Sequence, residues 1–260
     1  MSPTRRMFIF IALPLVILFA GLAIYLSTGH KSSPASPETS SNATNTQAAC
    51  SPTALKSPVD VSLVTSVLYP GQVRGGDFKP HGGFRLNNTD NNLANVVAPL
   101  AAKVTGGSRY IEMDELQYMF DFKTDCGLEY RFDHLKTLSP KLQAAADKLP
   151  EAEVDNSRTS RVSNVSVEAG EIIATAVGFE NSPPGAPEGP NASFDFGLYD
   201  KRQKNAASED SSWVAAHKEE GDQAIYAVCW LDWLPAAESA VLKALPGGDS
   251  TSGKTSDYCR

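Results

Sequence analysis

The sequence predicts an all-β domain with two short helices, preceded by one transmembrane helix. Short runs rich in aromatic and β-branched residues recur along the chain, and Gly and Pro separate them, which is typical of strands joined by turns. Only two segments have the apolar spacing of helices. The transmembrane helix is predicted from one long apolar segment close to the N-terminus.

The apolar segment Met7–Leu26 is predicted to be an uncleaved signal anchor in the cytoplasmic membrane. It contains no charged residue, and at about 1.5 Å per residue it is long enough to span a bilayer core of roughly 30 Å. A cleaved signal peptide, whose apolar core is usually about 7–15 residues long, is the alternative. Because Arg5 and Arg6 precede the segment, residues 1–6 are predicted to be cytoplasmic and the rest to lie in the periplasm or at the cell surface.

A polar linker follows the predicted anchor. Residues 31–49 are mostly Ser, Thr, Pro, Asn and Ala, so they cannot bury a core and are predicted to be disordered. The folded domain is predicted to cover residues 50–260, with a C-terminal extension from about residue 205. The net charge of −7 argues against nucleic acid as a partner.

Six runs with strand composition are predicted in the domain, and these are Asn95–Gly106, Leu116–Lys123, Gly127–Leu135, Val165–Gly178, Ala192–Asp200 and Gln223–Leu234. The second and third flank the turn sequence KTDCG and predict a hairpin. One helix is predicted at Ser139–Leu149, where Ser139 can cap the N-terminus and Pro140 lies in the first turn. The other is predicted at Pro235–Leu245 and ends before Pro-Gly-Gly.

Four cysteines predict two disulfides. Cys50, Cys126, Cys229 and Cys259 all follow the apolar segment, and an even count in an exported domain favours a disulfide framework. Three pairings are possible. We expect Cys50–Cys126 and Cys229–Cys259, because the last two cysteines bracket the C-terminal extension, which needs its own attachment.

Five segments occur in an order that resembles a known family. They are HGGFR (His81–Arg85), VVAPLAAKV (Val96–Val104), YRFDHL (Tyr130–Leu135), VSVEAGEIIATAVG (Val165–Gly178) and SFDFG (Ser193–Gly197). The set resembles the lysostaphin/LytM-type zinc endopeptidases, which cut peptide cross-links in bacterial peptidoglycan. The resemblance implies an antiparallel β-sheet core, a zinc cofactor and a cell-wall peptide as the substrate.

The departures from the family pattern concern the zinc ligands. His81 matches the first ligand of the family, but Arg85 stands at the Asp ligand and Asp195 at the last His ligand. A guanidinium has no lone pair for a metal. We therefore expect no metal, an ion pair between Arg85 and Asp195, and a ligand groove lined by His81, Arg85 and Asp195. The resemblance then implies a domain that binds peptidoglycan or a wall peptide, or regulates a wall hydrolase, without cleaving its ligand.

An active zinc metalloendopeptidase with a changed ligand set is the alternative. His81, Asp77 and Asp195 would then hold zinc, and His134, which matches the active-site His of the family, would be the acid–base residue. Trp213 lies in a charged stretch and is a candidate for stacking on sugar rings. Trp230 and Trp233 lie in an apolar run and are predicted to be core residues.

Overall fold

The computed structural model describes residues 55–86, 92–180 and 191–260. The predicted anchor at Met7–Leu26, the predicted linker and Cys50 lie outside these residues. Within them, no helix is long and apolar enough to cross a membrane.

One large sheet dominates the described residues. The strands, numbered along the chain, are β1 (Ser66–Leu68), β2 (Gln72–Arg74), β3 (Asp77–Lys79), β4 (Gly82–Arg85), β5 (Leu93–Val97), β6 (Ala102–Glu112), β7 (Glu115–Lys123), β8 (Leu128–Leu138), β9 (Glu153–Val154), β10 (Ser160–Arg161), β11 (Ser166–Val167), β12 (Ile172–Val177) and β13 (Ser193–Asp200). Eleven of them form the sheet, whose main path is β1-β4-β13-β8-β7-β6-β10. β9 and β11 also pair with β6, and β12 pairs with β5 and β8, whereas β2 and β3 form a separate hairpin.

Aromatic side chains fill the core against the central strands. Phe122 stacks on Tyr130 with ring centroids 4.7 Å apart, and Phe132 stacks on Phe196 at 5.1 Å. All four side chains are buried, and burying an aromatic side chain of this size stabilises the fold by about 1.5–3 kcal/mol. This packing holds β7, β8 and β13 together, and these strands carry much of the candidate site.

The helices lie mainly in the C-terminal part of the chain. The α-helices in the described residues are α1 (Pro140–Ala146), α2 (Ser211–Ala216), α3 (Gly221–Tyr226) and α4 (Ala236–Ala244). Short 3-10 helices occur at Val61–Leu63, Ala206–Glu209, Lys218–Glu220 and Trp230–Trp233. α1 and α4 confirm the two helices predicted from sequence, and β7 and β8 confirm the predicted hairpin.

The predicted fold class is wrong. β6 and β9 pair in parallel, so the sheet is mixed, and the described residues contain four α-helices and no transmembrane helix. The predicted strand Gln223–Leu234 is instead part of α3 and a 3-10 helix. An apolar run of this length is compatible with a strand or with a buried helical segment. Here it is helical in part, and the Trp230 ring packs against Phe84 with ring centroids 4.7 Å apart. The described residues form a mixed, mostly β-sheet domain.

The predicted disulfide between Cys229 and Cys259 is confirmed, with Cα atoms 4.9 Å apart. Cys126 is also disulfide-bonded, and none of the cysteines in the described residues is free. Its predicted partner, Cys50, lies outside the described residues. The Cys229–Cys259 bond links residues 30 apart. A disulfide that closes a loop of that size stabilises a fold by about 2–4 kcal/mol.

Candidate functional site

Three neighbouring strands bring His81, His134 and Asp195 together. β13 lies between β4 and β8, and Asp195 pairs with Gly83 on one side and with Asp133 on the other. His81 immediately precedes β4, and His134 immediately follows Asp133 in β8. The sheet order therefore places the Asp195 carboxylate between the two imidazoles.

Asp195 Oδ2 is the centre of the cluster. His81 Nε2 donates a hydrogen bond to it at 2.9 Å, His134 Nε2 lies 3.9 Å away, and Arg74 Nη2 lies 4.0 Å away. Burial acts to raise the pKa of Asp195, but the charges of His81, His134 and Arg74 outweigh it and hold the pKa well below its usual range. The carboxylate is therefore ionised at neutral pH and attracts cationic groups from three directions.

The orientation of the His134 ring is fixed by a buried amide. Gln117 Nε2 donates to the backbone oxygen of Gly178 at 3.1 Å, which turns Gln117 Oε1 towards His134 Nδ1 at 2.8 Å. Because an amide oxygen can only accept, Nδ1 carries the proton and Nε2 faces Asp195. The backbone of His134 is left-handed, with φ at 60°, which is uncommon for a residue other than glycine.

Further acidic groups surround His134. Tyr110 donates a hydrogen bond to the Asp133 carboxylate, and its hydroxyl also lies 3.3 Å from His134 Nδ1. Glu112 Oε2 lies 3.8 Å from the same nitrogen. Burial acts to lower the pKa of His134, but Asp133, Asp195 and Glu112 together raise it above its ordinary value. His134 is thus favoured as an imidazolium.

The pKa of Glu112 is shifted as well. Burial raises the pKa of Glu112 most, nearby carboxylates raise it further, and His134 opposes the shift. The Glu112 side chain is 38% exposed, compared with 17% for Asp195. It therefore offers a proton-binding carboxylate at the edge of the cluster.

Arg74 is a site residue that the sequence analysis missed. It ends β2, and its Nη1 donates to the backbone oxygens of Tyr69 at 3.0 Å and His81 at 3.2 Å. The side chain thereby joins the β2–β3 hairpin to the residue that precedes β4. The sequence places Arg74 in the same Gly-rich stretch as His81, and this was the only indication of its role. The direction of the Arg74 side chain depends on how the hairpin folds.

Two glycines allow the strands at the site to approach closely. A Cβ atom at Gly83 would lie 2.5 Å from the backbone oxygen of Phe194 and 2.9 Å from Asp195 Oδ1. At Gly82 it would lie 2.2 Å from the backbone oxygen of Leu68. Glycine is therefore required at positions 82 and 83 by backbone contacts on both sides of β4.

The expected ion pair between Arg85 and Asp195 is not formed, because Arg74 takes that position. Arg85 extends beside Gly248, where a Cβ would lie 3.2 Å from Arg85 Cδ. Arg85 Nε is buried and has no hydrogen-bond partner in the described part of the chain. Arg85 pairs with Ser193 in the β-ladder, so its side chain starts on the same face of the sheet as Asp195, but it extends towards Gly248 and not towards the carboxylate.

The zinc ligand set implied by the resemblance does not fit these residues. Arg85 has no lone pair, and Asp77, the alternative ligand, pairs with Lys79 at 3.5 Å and is 74% exposed. Across residues 55–86, 92–180 and 191–260, no group of three or more His, Cys, Asp and Glu side chains is arranged to hold a metal ion. We assign no chemical step to a metal.

Trp213 is held by protein contacts. Its Nε1 donates to Asp257 Oδ2 at 2.6 Å, and its ring packs against Phe78 and His217 with centroids 5.7 Å and 4.6 Å away. Trp230 and Trp233 are buried, as predicted from sequence. The structure thus gives Trp213 a packing role in the C-terminal extension.

Comparisons with known proteins leave the family of this chain open. No family model, curated protein or solved structure matches it.

Proposed function

We propose that this domain binds bacterial cell-wall material, with a wall peptide held against the cluster of His81, Asp195 and His134, and that it does not cleave this ligand. The observation that carries the proposal is the meeting of these three side chains at one carboxylate oxygen. Each comes from a different segment of the sequence resemblance. Their convergence supports a common ligand site at the position where the family has its active centre.

The charges around Asp195 favour binding over metal-dependent cleavage. Both imidazole Nε2 atoms face the carboxylate, and Arg74 adds a permanent positive charge 4.0 Å from it. At that distance, two unit charges interact by about 4 kcal/mol when the effective dielectric constant is about 20. A divalent cation at Asp195 would be repelled by Arg74 and would have to displace the His81 hydrogen bond.

The cluster can instead exchange hydrogen bonds with a peptide. His81, His134 and Asp195 each keep about a fifth of their side-chain surface exposed, and Glu112 is more exposed. Imidazolium groups donate and carboxylates accept, so the site complements the C=O and N–H groups of a peptide. Holding a wall peptide without cleaving it would regulate wall hydrolases by competition for the same ligand.

The disulfides support a location outside the cytoplasm. Cys229 and Cys259 are bonded and Cys126 is also disulfide-bonded, and stable disulfides are rare in reducing cytosol. A periplasmic or cell-surface location would give the domain access to cell-wall material.

The proposal is tested by sedimenting the oxidised protein with purified peptidoglycan sacculi. We expect Asp195→Asn and His81→Ala to lower the sacculus affinity about tenfold or more, which corresponds to about 1.4 kcal/mol. Asp125→Asn is the matched control, because it removes the same charge from an exposed residue that pairs with Lys103 at 3.0 Å. Circular dichroism verifies that each variant is folded.

The same samples are assayed for the release of soluble peptides from sacculi, with and without added zinc. We expect no release. Failure of the wild-type protein to sediment with sacculi would overturn the binding proposal. Zinc-dependent release that is lost in His81→Ala would establish the alternative, a zinc metalloendopeptidase.

A further inference from the structure

The C-terminal segment Pro246–Cys259 first attaches to the edge of the sheet. Val67 N donates to the backbone oxygen of Pro246 at 3.1 Å, and Gly248 N donates to the backbone oxygen of Val67 at 2.7 Å. Gly247 thereby forms a parallel bridge with Val67 in β1. The segment then leaves the edge and continues over the β2–β3 hairpin.

Side-chain hydrogen bonds fasten the segment to the hairpin. Gln72 Nε2 donates to the backbone oxygen of Gly253 at 2.9 Å, and Ser252 Oγ donates to the backbone oxygen of Val73 at 2.7 Å. Each bond joins residues about 180 positions apart in the chain. Because the hairpin forms no ladder with the large sheet, these contacts supply attachments that the sheet does not.

The end of the segment holds the turn that enters the hairpin. Ser256 Oγ donates to the backbone oxygen of Pro70 at 2.5 Å, and Asp257 N donates to the backbone oxygen of Gly71 at 3.1 Å. The Tyr258 ring covers Gly71, where a Cβ would lie 2.9 Å from Tyr258 Cδ2. Gly71 has φ at 75°, so both its conformation and its lack of a side chain suit this contact.

An aromatic group covers the far strand of the hairpin. Phe78 in β3 stacks on His217 with ring centroids 3.8 Å apart, and it meets Tyr258 edge-on at 6.3 Å. The C-terminal extension therefore contacts both strands of the hairpin.

The Cys229–Cys259 disulfide joins the end of this segment to the core. Cys229 is 5% exposed and directly precedes Trp230, whose ring packs on Phe84 at 4.7 Å and on Phe196 at 5.6 Å. Cys259, the penultimate residue, is partly exposed. One covalent bond thus connects the segment to the core residues beneath β4 and β13.

The hairpin in turn sets two groups of the candidate site. Arg74 ends β2, donates to the backbone oxygen of His81 at 3.2 Å and places its Nη2 atom 4.0 Å from Asp195. His134 is held instead by Gln117, on β7 of the large sheet. A displacement of the hairpin would therefore move Arg74 and His81 but leave His134 in place.

We infer that Pro246–Cys259 is a positioning element of the ligand site and that the Cys229–Cys259 disulfide makes the site redox-sensitive. In the reductive step a dithiol donates two electrons and two protons, the S–S bond breaks to give two thiols, and the dithiol closes to its own disulfide. Without the covalent bond the segment restrains the hairpin only through its hydrogen bonds and ring contacts, and His81 and Arg74 are held less firmly beside Asp195. The effect on ligand affinity rests on the proposed function, whereas the displacement of His81 does not.

The test compares the oxidised wild-type protein with the double variant Cys229→Ser/Cys259→Ser. The control is Cys50→Ser/Cys126→Ser, which removes the cysteine in the β7–β8 turn together with its predicted partner. The imidazole signals of His81 and His134 are followed by NMR, and amide hydrogen exchange is measured in residues 69–81. Binding is measured by sedimentation with purified sacculi, and Ser256→Ala provides a variant that keeps the disulfide but removes one hairpin contact.

In Cys229→Ser/Cys259→Ser we expect the His81 ring signals to shift, the His134 signals to stay near their wild-type positions, and hairpin exchange to accelerate about tenfold or more. Ser256→Ala should change the same signals by less. Sacculus affinity should fall about tenfold in the double variant and remain unchanged in the control.

Unchanged His81 signals in the double variant, or equal changes at both histidines, would overturn the inference, because the first result shows no positioning and the second shows general loss of structure. Unchanged sacculus affinity despite a displaced His81 would overturn the redox control of binding. If the oxidised wild-type protein does not bind sacculi, the proposed function fails, and the positioning role is decided by the NMR and exchange results alone.

Discussion

The candidate site is assembled from two regions that are held in different ways. His134 and Asp195 belong to the central strands β8 and β13, which are paired with neighbours on both sides and packed on buried aromatic rings. Arg74 and His81 belong to the β2–β3 hairpin and the residues after it, which are held by side chains, a C-terminal segment and a disulfide. The difference indicates that the Asp195 carboxylate is held rigidly by the sheet. The positions of His81 and Arg74 depend instead on contacts with residues near the C-terminal end of the sequence.

The largest expected effect is the removal of a core ring from the first region. Phe132→Ala should lower the free energy of unfolding by about 3–5 kcal/mol, because the side chain is fully buried and the space it leaves cannot be refilled. Phe78→Ala, in the half-buried hairpin, should cost about 1 kcal/mol. Urea denaturation measures both, and equal losses would remove the distinction between the two regions.

The second effect concerns the covalent attachment of the hairpin region. Cys229→Ser/Cys259→Ser should lower the free energy of unfolding by about 2–4 kcal/mol, because the bond closes a loop between residues 30 apart. Urea denaturation followed by tryptophan fluorescence and by circular dichroism measures the loss. Stability equal to that of the wild-type protein would show that the noncovalent contacts suffice.

Two glycine substitutions, one in the large sheet and one in the β2–β3 hairpin, compare the two regions with a smaller loss of stability. Gly83→Ala should lower the free energy of unfolding by about 1–3 kcal/mol, because its Cβ would meet the Phe194 oxygen at 2.5 Å. Gly76→Ala, with φ at 92° and no atom within 4 Å of the added Cβ, should cost about 1 kcal/mol through its backbone conformation alone. NMR of the imidazoles should report a disturbed site only in Gly83→Ala, and the same disturbance in both variants would contradict the comparison.

The smallest effect is the pH dependence of stability. The pKa of Asp195 is lowered by folding, so its contribution is complete above about pH 3.9 and is lost as the pH falls through its folded pKa. The pKa of His134 is raised, so its contribution is complete below about pH 6.5 and is lost as the pH rises through its folded pKa. Stability from this pair should therefore be greatest between about pH 4 and about pH 6.5.

Urea denaturation across this range, in the wild-type protein and in Asp195→Asn, checks the pH prediction. The acid-side decrease should be smaller in the variant, and the alkaline decrease should also be smaller because Asp195 is one of the groups that raise the pKa of His134. A variant curve parallel to the wild-type curve at both ends would contradict the assignment.

The sequence predicted those parts of the fold that have strong local signals. Ser139-Pro140 marks the start of α1, and KTDCG marks the turn between β7 and β8. Cys229 and Cys259 were paired because they bracket the C-terminal extension. The mixed sheet could not be predicted, since its parallel pair involves only two residues of β9, which are too few to show a periodic pattern.

The candidate site was predicted in part. The resemblance identified His81, His134 and Asp195, which the structure brings together, but it paired Asp195 with Arg85 in place of Arg74. Which guanidinium reaches the carboxylate depends on the fold of the hairpin, and this fold depends in turn on residues about 180 positions later. Gln117 gave no signal either, because a buried glutamine that orients an imidazole looks like any other polar residue in a strand.

The left-handed backbone at His134 also coincides with an interruption of the regular alternation of side chains along β8. In a regular strand adjacent side chains point to opposite faces, yet Asp133 and His134 both lie within reach of the Tyr110 hydroxyl. Between Phe132 and Leu135, β8 contains one more residue than the facing stretch of β7, so the next buried position after Phe132 is Leu135 and not residue 134. The site lies at this extra residue, where β8 supplies two consecutive side chains, Asp133 and His134, to a single face. A deletion of either residue would restore regular alternation between Phe132 and Leu135, with both of these side chains still buried, and would leave the site with only one of the two polar side chains.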